Sequence, residues 1–120
     1  MNVKMLTKEI RKRLPKLYAT EDVPTADKVV RVKFFQPWGS WTWYATEGEP
    51  VNADGESLRA GEQEADYKFF GFVQGFEGEW GYWLLSELES VRGPFGLRIE
   101  RDMWLSPTKV SDIAALKGEV

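Results

Sequence analysis

The sequence predicts an α+β fold: an antiparallel sheet of about five strands with an N-terminal helix, a short helix after the fourth strand and a short C-terminal helix. Three observations carry this. Tyr67 to Gly93, YKFFGFVQGFEGEWGYWLLSELESVRG, alternates aromatic rings with glycines and then turns into a short acidic helix. Leu6, Ile10, Leu14 and Leu17 recur at helical spacing and draw one apolar stripe. Three further runs, 29–35, 41–46 and 97–105, alternate with the two-residue period of a pleated chain and are bounded by proline and glycine.

Taken in order, Leu6 to Leu17 is the first helix, with Thr7 as its N-cap. Pro15 lacks an amide donor and crowds the preceding turn, so the α-helix ends near Arg13 or Leu14. An irregular connector follows. Val29–Phe35 and Trp41–Thr46 pair as a hairpin through the turn at Pro37-Trp38-Gly39-Ser40. Residues 47–65 read as a polar surface loop or insertion, with Asp54-Gly55 at a turn. Asn52 to Glu56 superficially matches a calcium loop, but Pro50 and Gly61 stand where the first and last ligands belong. Phe69–Phe76 and Trp80–Leu85 form the second hairpin. Ser86-Glu87-Leu88-Glu89 matches a capping box, and Gly93-Pro94 stops that helix. Leu97–Leu105 is the last strand, with Leu97, Ile99, Met103 and Leu105 on its apolar face. Ser106-Pro107 opens a closing helix carrying Val110, Ile113, Ala114 and Leu116, which Gly118 ends.

A chain of 120 residues predicts a single domain, residues 1–120. Roughly two thirds of the surface of a chain this size is buried on folding, enough for a core without staples. There is no cysteine, which removes disulfides, thiolate metal sites and cysteine nucleophiles. There is no histidine, the usual general base and commonest metal ligand, which lowers the expectation of an enzyme. No cofactor is expected. The first residues hold no long apolar run, so the expectation is a cytoplasmic protein without signal peptide or membrane span.

The net charge of -3 hides an asymmetry: residues 1–16 carry six basic side chains and one acid, while 47–66 carries seven acids against Arg59 alone. Lys8, Arg11 and Lys12 are either a solvated helix face or a patch for phosphate or an acidic partner. Six tryptophans are many for this length. Trp43, Trp80 and Trp83 read as core. Trp38 and Trp41 flank a turn, where rings are harder to bury, and are candidates for a protein interface or for stacking on single-stranded bases. Arg92 and Arg101 are expected in ion pairs with Glu47, Glu79 or Glu89, Arg92 also being a candidate for anion binding. Glu100 and Asp102 project from the same face of a strand, a weak alternative for a metal site. The plainer reading is a solvated face beside Arg98.

The segments LTKEIRKRLPKLYATEDVP, VKFFQP, WTWYATE, FFGFVQGFEGEWGYWLLSELESVRGP and GLRIERD, together spanning about residues 5–105, resemble a small family known as a domain of unknown function, numbered 2958. The resemblance implies an accessory protein of a plasmid, conjugative element or phage. It implies no activity, substrate or catalytic residue. Residues 47–66 are longer than the family leads one to expect.

Four functions follow as expectations. The first is a non-enzymatic module that binds a protein partner through an aromatic surface. The second is a single-strand nucleic-acid binder using Trp38, Trp41 and the basic helix, which needs them on one face. The third is a DNA mimic, for which a net of -3 is small. The fourth is a metal-dependent hydrolase using Glu100 and Asp102. The missing histidine and cysteine and the aromatic surplus favour the first.

Overall fold

The computed structural model describes residues 4–119; residues 1–3 and 120, the ends of the expected single domain, lie outside the described residues. Seven strands and two α-helices occur among these residues: α1 (Lys8–Arg13), β1 (Val29–Val30), β2 (Val32–Phe35), β3 (Thr42–Val51), β4 (Asp66–Gln74), β5 (Gly78–Leu84), α2 (Leu85–Ser90), β6 (Glu100–Arg101) and β7 (Thr108–Lys109). Five strands form one antiparallel sheet in the order β5-β4-β3-β2-β6, and β1 pairs with β7 in a separate two-stranded ribbon. The fold is therefore α+β, mostly β.

Phe69 is the hub of the first core. Its ring lies 5.3 Å from Phe34, 5.1 Å from Tyr67 and 5.5 Å from Trp83. Such pairs contribute about 0.5–1.5 kcal/mol each beyond area burial. Leu6 and Leu14 beside α1, Leu88 of α2 and Ile99 close over this face. Thr7 caps α1, its hydroxyl accepting the Ile10 N–H at 3.2 Å, and the helix ends at Leu14, where the chain turns extended ahead of Pro15. The opposite face is covered as well: Tyr44 and Phe72 pack against Val30, Val110 and Leu116. The sheet is thus covered on both faces.

Several boundaries shift for identifiable reasons. The run Val29–Phe35 divides at Arg31, whose N–H goes to the Ala45 carbonyl, leaving β1 free to pair with β7. The expected loop at 47–65 begins only at Asn52. β3 continues through a bulge between Ala45 and Glu47, and Glu49, Pro50 and Val51 pair with β4. The acid-rich composition concealed a strand whose Glu47 is buried. The turn itself is built by Asn52, whose Oδ1 accepts the N–H groups of Asp54 and Glu56 at 2.9 and 3.0 Å.

Only half of the expected capping box forms, and two residues earlier: the N-cap is Leu84, whose side chain has no acceptor. Glu87, not Glu89, reaches back, accepting the Leu84 N–H at 2.9 Å. Ser86 lies inside α2, where its hydroxyl and N–H both bond to the Asp66 carboxylate. The expected strand Leu97–Leu105 shrinks to β6, since Asp102 turns the chain by accepting the Trp104 N–H at 2.8 Å. Ile99 alone of its four apolar-face residues is buried; Leu97 and Met103 are exposed and Leu105 is half-buried. Ser106 does not cap a helix: β7 follows it, and the closing helix takes the form of 3₁₀ turns at Val110–Asp112 and Ala114–Glu119. Among the described residues, no helix is long and apolar enough to cross a membrane.

Candidate functional site

Two aromatic features stand out. The first is a cleft on the Tyr44–Phe72 side of the sheet. Cross-strand pairing places Phe70 beside Tyr82 and Phe72 beside Trp80. Phe70 stacks against Trp80 at 5.9 Å and lies 5.0 Å from Tyr82. The connector after α1 brings Tyr18 over this floor, 6.2 Å from the Tyr82 ring. Tyr18 adopts φ 71°, a left-handed conformation that a bulky side chain rarely takes. Glu47 holds it there. The carboxylate is 3% exposed and accepts the N–H groups of Tyr18 at 2.8 Å and Thr20 at 2.9 Å, and the Thr20 hydroxyl.

The cleft encloses about 350 Å³ and is completed by Glu21, Thr25 and Lys28. The Lys28 ammonium donates to the Thr20 carbonyl at 2.6 Å. The Tyr82 phenol is pushed up to about 12, chiefly by the neighbouring Tyr18 phenol, then by burial and, less, by the negative charges of Glu47 and Glu21.

The second feature is the sheet end formed by the β2–β3 and β4–β5 turns. Phe76, at the β4–β5 turn, is 95% exposed and meets Trp41 edge-on at 5.4 Å. Trp41 is half-buried, lies 5.9 Å from Trp43 and covers Gly75. Trp38 is half-buried over Gly93, which leads into the 3₁₀ turn Pro94–Gly96. Phe95 in that turn is fully exposed at φ 57°. Tyr18 and Phe95 are the non-glycine residues with left-handed backbones among those described, and both present an aromatic ring to solvent.

The basic residues lie elsewhere. Arg11 pairs with both oxygens of Glu64, at 2.5 and 3.1 Å, and its guanidinium stands 5.0 Å over the Tyr67 ring. Glu64 holds the Arg11 pKa above its usual value, against the opposing effect of burial. Lys8 is exposed, and Lys12 approaches Glu9 at 3.9 Å. Tyr67 pairs with Pro50 while Gln74 pairs with Thr42, so Arg11 and Trp41 sit at opposite ends of the β3–β4 ladder. That is about 23 Å of strand.

Arg92 and Arg101 bond carbonyls rather than the expected carboxylates: Arg92 bonds Glu89 and Val91 at 2.6 and 3.0 Å, and Arg101 bonds Lys4 at 2.8 Å. Glu100 is exposed on β6, while Asp102 lies beyond it, 3.6 Å from the Lys33 ammonium. Among the described residues no group of three or more His, Cys, Asp or Glu side chains is placed to hold a metal ion.

Phe70, Trp80 and Tyr82 were legible as alternating strand residues, though not as a cleft. Nothing in the sequence marked Tyr18, Glu47, Phe76 or Phe95 as site residues, because each depends on a turn or a bulge.

Comparison with curated proteins gives no match, and comparison with solved structures gives none. Residues 5–117 match the family model described as protein of unknown function (DUF2958), and the chain belongs to that family.

Proposed function

We propose that the protein is a non-enzymatic accessory protein of a mobile genetic element, acting in the cytoplasm as an interaction module that binds a protein partner through the aromatic sheet end. The observation that carries this reading is the full exposure of Phe76 and Phe95, the latter on a left-handed backbone. A bulky residue held in that region costs of order 1–3 kcal/mol. Trp41 and Trp38 support the two turns from behind rather than forming the contact themselves. Exposed rings backed by rigid rings are the usual anchors of protein interfaces. The family resemblance supports the mobile-element setting. The separation of Arg11 from Trp41 weakens the nucleic-acid alternative.

The test is affinity capture from a lysate of the source cells with wild type, Phe76→Ala and Phe95→Ala as baits. Both side chains are exposed, so each variant should unfold at the wild-type temperature. A partner held by wild type and weakened roughly 30-fold by either variant is the expected result. Capture that survives both substitutions would overturn the proposal, as would saturable quenching of tryptophan fluorescence by single-stranded DNA with no protein captured.

A further inference from the structure

We propose that the cleft between Tyr18, Phe70, Trp80 and Tyr82 is a binding site for a small quaternary ammonium compound. This site is separate from the sheet end and does not depend on the function proposed for it.

The shape comes first. A volume of about 350 Å³ falls in the range of small-molecule sites. Its walls are four aromatic rings from three parts of the chain: the connector, β4 and β5. The negative face of an aromatic ring attracts a cation and asks for no hydrogen bond in return. Lys68 already illustrates this, its ammonium standing 5.7 Å over the Tyr82 ring.

The carboxylate narrows the class of cation. Glu47 carries the buried charge of the cleft, but its oxygens already accept from Tyr18, from the Thr20 N–H and from the Thr20 hydroxyl. It therefore offers an incoming ligand a negative field more than a free acceptor. A primary ammonium or a guanidinium brings several N–H donors that need partners when desolvated. A quaternary ammonium brings none, so a saturated carboxylate behind aromatic walls suits it better. Glu21 adds a second negative charge to the lining. The Tyr82 phenol is hard to ionise chiefly because of Tyr18 and burial, and the two carboxylates add a smaller contribution in the same direction.

Lys28 is the opposing element. It is the cation of the lining, against two carboxylates, while Lys68 stands just outside it over the Tyr82 ring. Its ammonium is tied to the connector through the Thr20 carbonyl at 2.6 Å and hydroxyl at 3.4 Å. For a cationic ligand Lys28 weakens binding; for an anionic one, such as a nucleotide phosphate, it would be the anchor. That opposition makes Lys28 the discriminating position.

The experiment is a two-dimensional NMR titration of the full chain with choline and, separately, with 3,3-dimethylbutan-1-ol, its uncharged isostere. The expected result is saturable choline binding that shifts the Trp80 indole resonance, with the isostere binding roughly tenfold more weakly. Lys28→Met should tighten choline binding. Tyr82→Leu, at a half-exposed ring, should weaken it at an unchanged fold, judged by the remaining resonances. Equal binding of the two probes would reduce the cleft to a merely apolar one and overturn the proposal. So would no binding of choline to a folded protein, or Lys28→Met weakening it.

Discussion

The backbone N–H of Tyr18 donates to the Glu47 carboxylate at 2.8 Å, across 29 positions of sequence. This bond joins the connector after α1 to the bulge of β3. Without the bulge, Glu47 would fall on the opposite face of the sheet, because a one-residue shift inverts every side chain that follows. The irregularity in the strand and the left-handed backbone at Tyr18 are therefore two parts of one arrangement. Hydrogen bonds to a charged acceptor contribute roughly 1.5–3 kcal/mol each, enough to offset the strain they maintain.

Glu47→Ala should consequently destabilise the fold by about 2–4 kcal/mol, since it removes the shared acceptor of the part-buried N–H groups of Tyr18 and Thr20. Glu47→Gln keeps one carbonyl oxygen but turns an amide donor toward another donor, and should lose about 1–3 kcal/mol. Urea unfolding monitored by tryptophan fluorescence measures both. A loss below about 0.5 kcal/mol for Glu47→Ala would show that the connector is held by other contacts.

Gly71 and Gly81 face each other directly across β4 and β5, yet their surroundings differ. A Cβ on Gly71 would be driven into the backbone carbonyl of Tyr44 in β3, whereas one on Gly81 would meet nothing within 4 Å. Gly71→Ala should push β3 and β4 apart at the centre of the sheet and lower stability by roughly 3 kcal/mol or more. Gly81→Ala should be neutral or stabilising by about 0.5 kcal/mol, by restricting the unfolded chain. Thermal unfolding of the pair decides this, and equal effects at the two positions would contradict the packing described.

Period and punctuation made most of the sheet legible. Val32 and Phe34, Trp43 and Ala45, and Phe69 and Gly71 alternate as expected, and the turns at Pro37–Ser40 and Glu77 fall near their glycines. The failures share one cause, which is that a partner distant in sequence overrode the local signal. Glu47 to Val51 read as loop because acids and Pro50 dominate the segment, yet β4 supplies a full ladder. Ser86 read as a cap because its own neighbours allow it, but Asp66, twenty residues earlier, takes its hydroxyl. Leu97 to Leu105 alternates well, yet only Phe34 and Phe35 are available to pair with it. The cleft escaped notice for the same reason: Tyr18 reaches Phe70 and Tyr82 through a connector whose path depends on Glu47.

Tyr67 gives the fold an alkaline limit. Its side chain is 2% exposed, and burial pushes the phenol up to about 12 from 10, with Arg11 opposing the rise. The unfolded chain therefore releases this proton near pH 10, while the folded protein holds it until about 12. Above pH 10 the unfolded state binds fewer protons, so stability falls as pH rises. The contribution is fully present below pH 10, declines between 10 and 12, and stays lost above. A shift of this size corresponds to about 2–3 kcal/mol. Tyr82 shifts in the same direction, but its ring is half exposed and solvent screening makes its share smaller. The informative quantity is a difference between variants. Urea midpoints measured from pH 8 to 11.5 should fall steeply for wild type and less steeply for Tyr67→Phe, with Tyr82→Phe in between. Parallel curves for wild type and Tyr67→Phe would mean that the buried phenol ionises alike in both states, and would remove Tyr67 as the source of the alkaline transition.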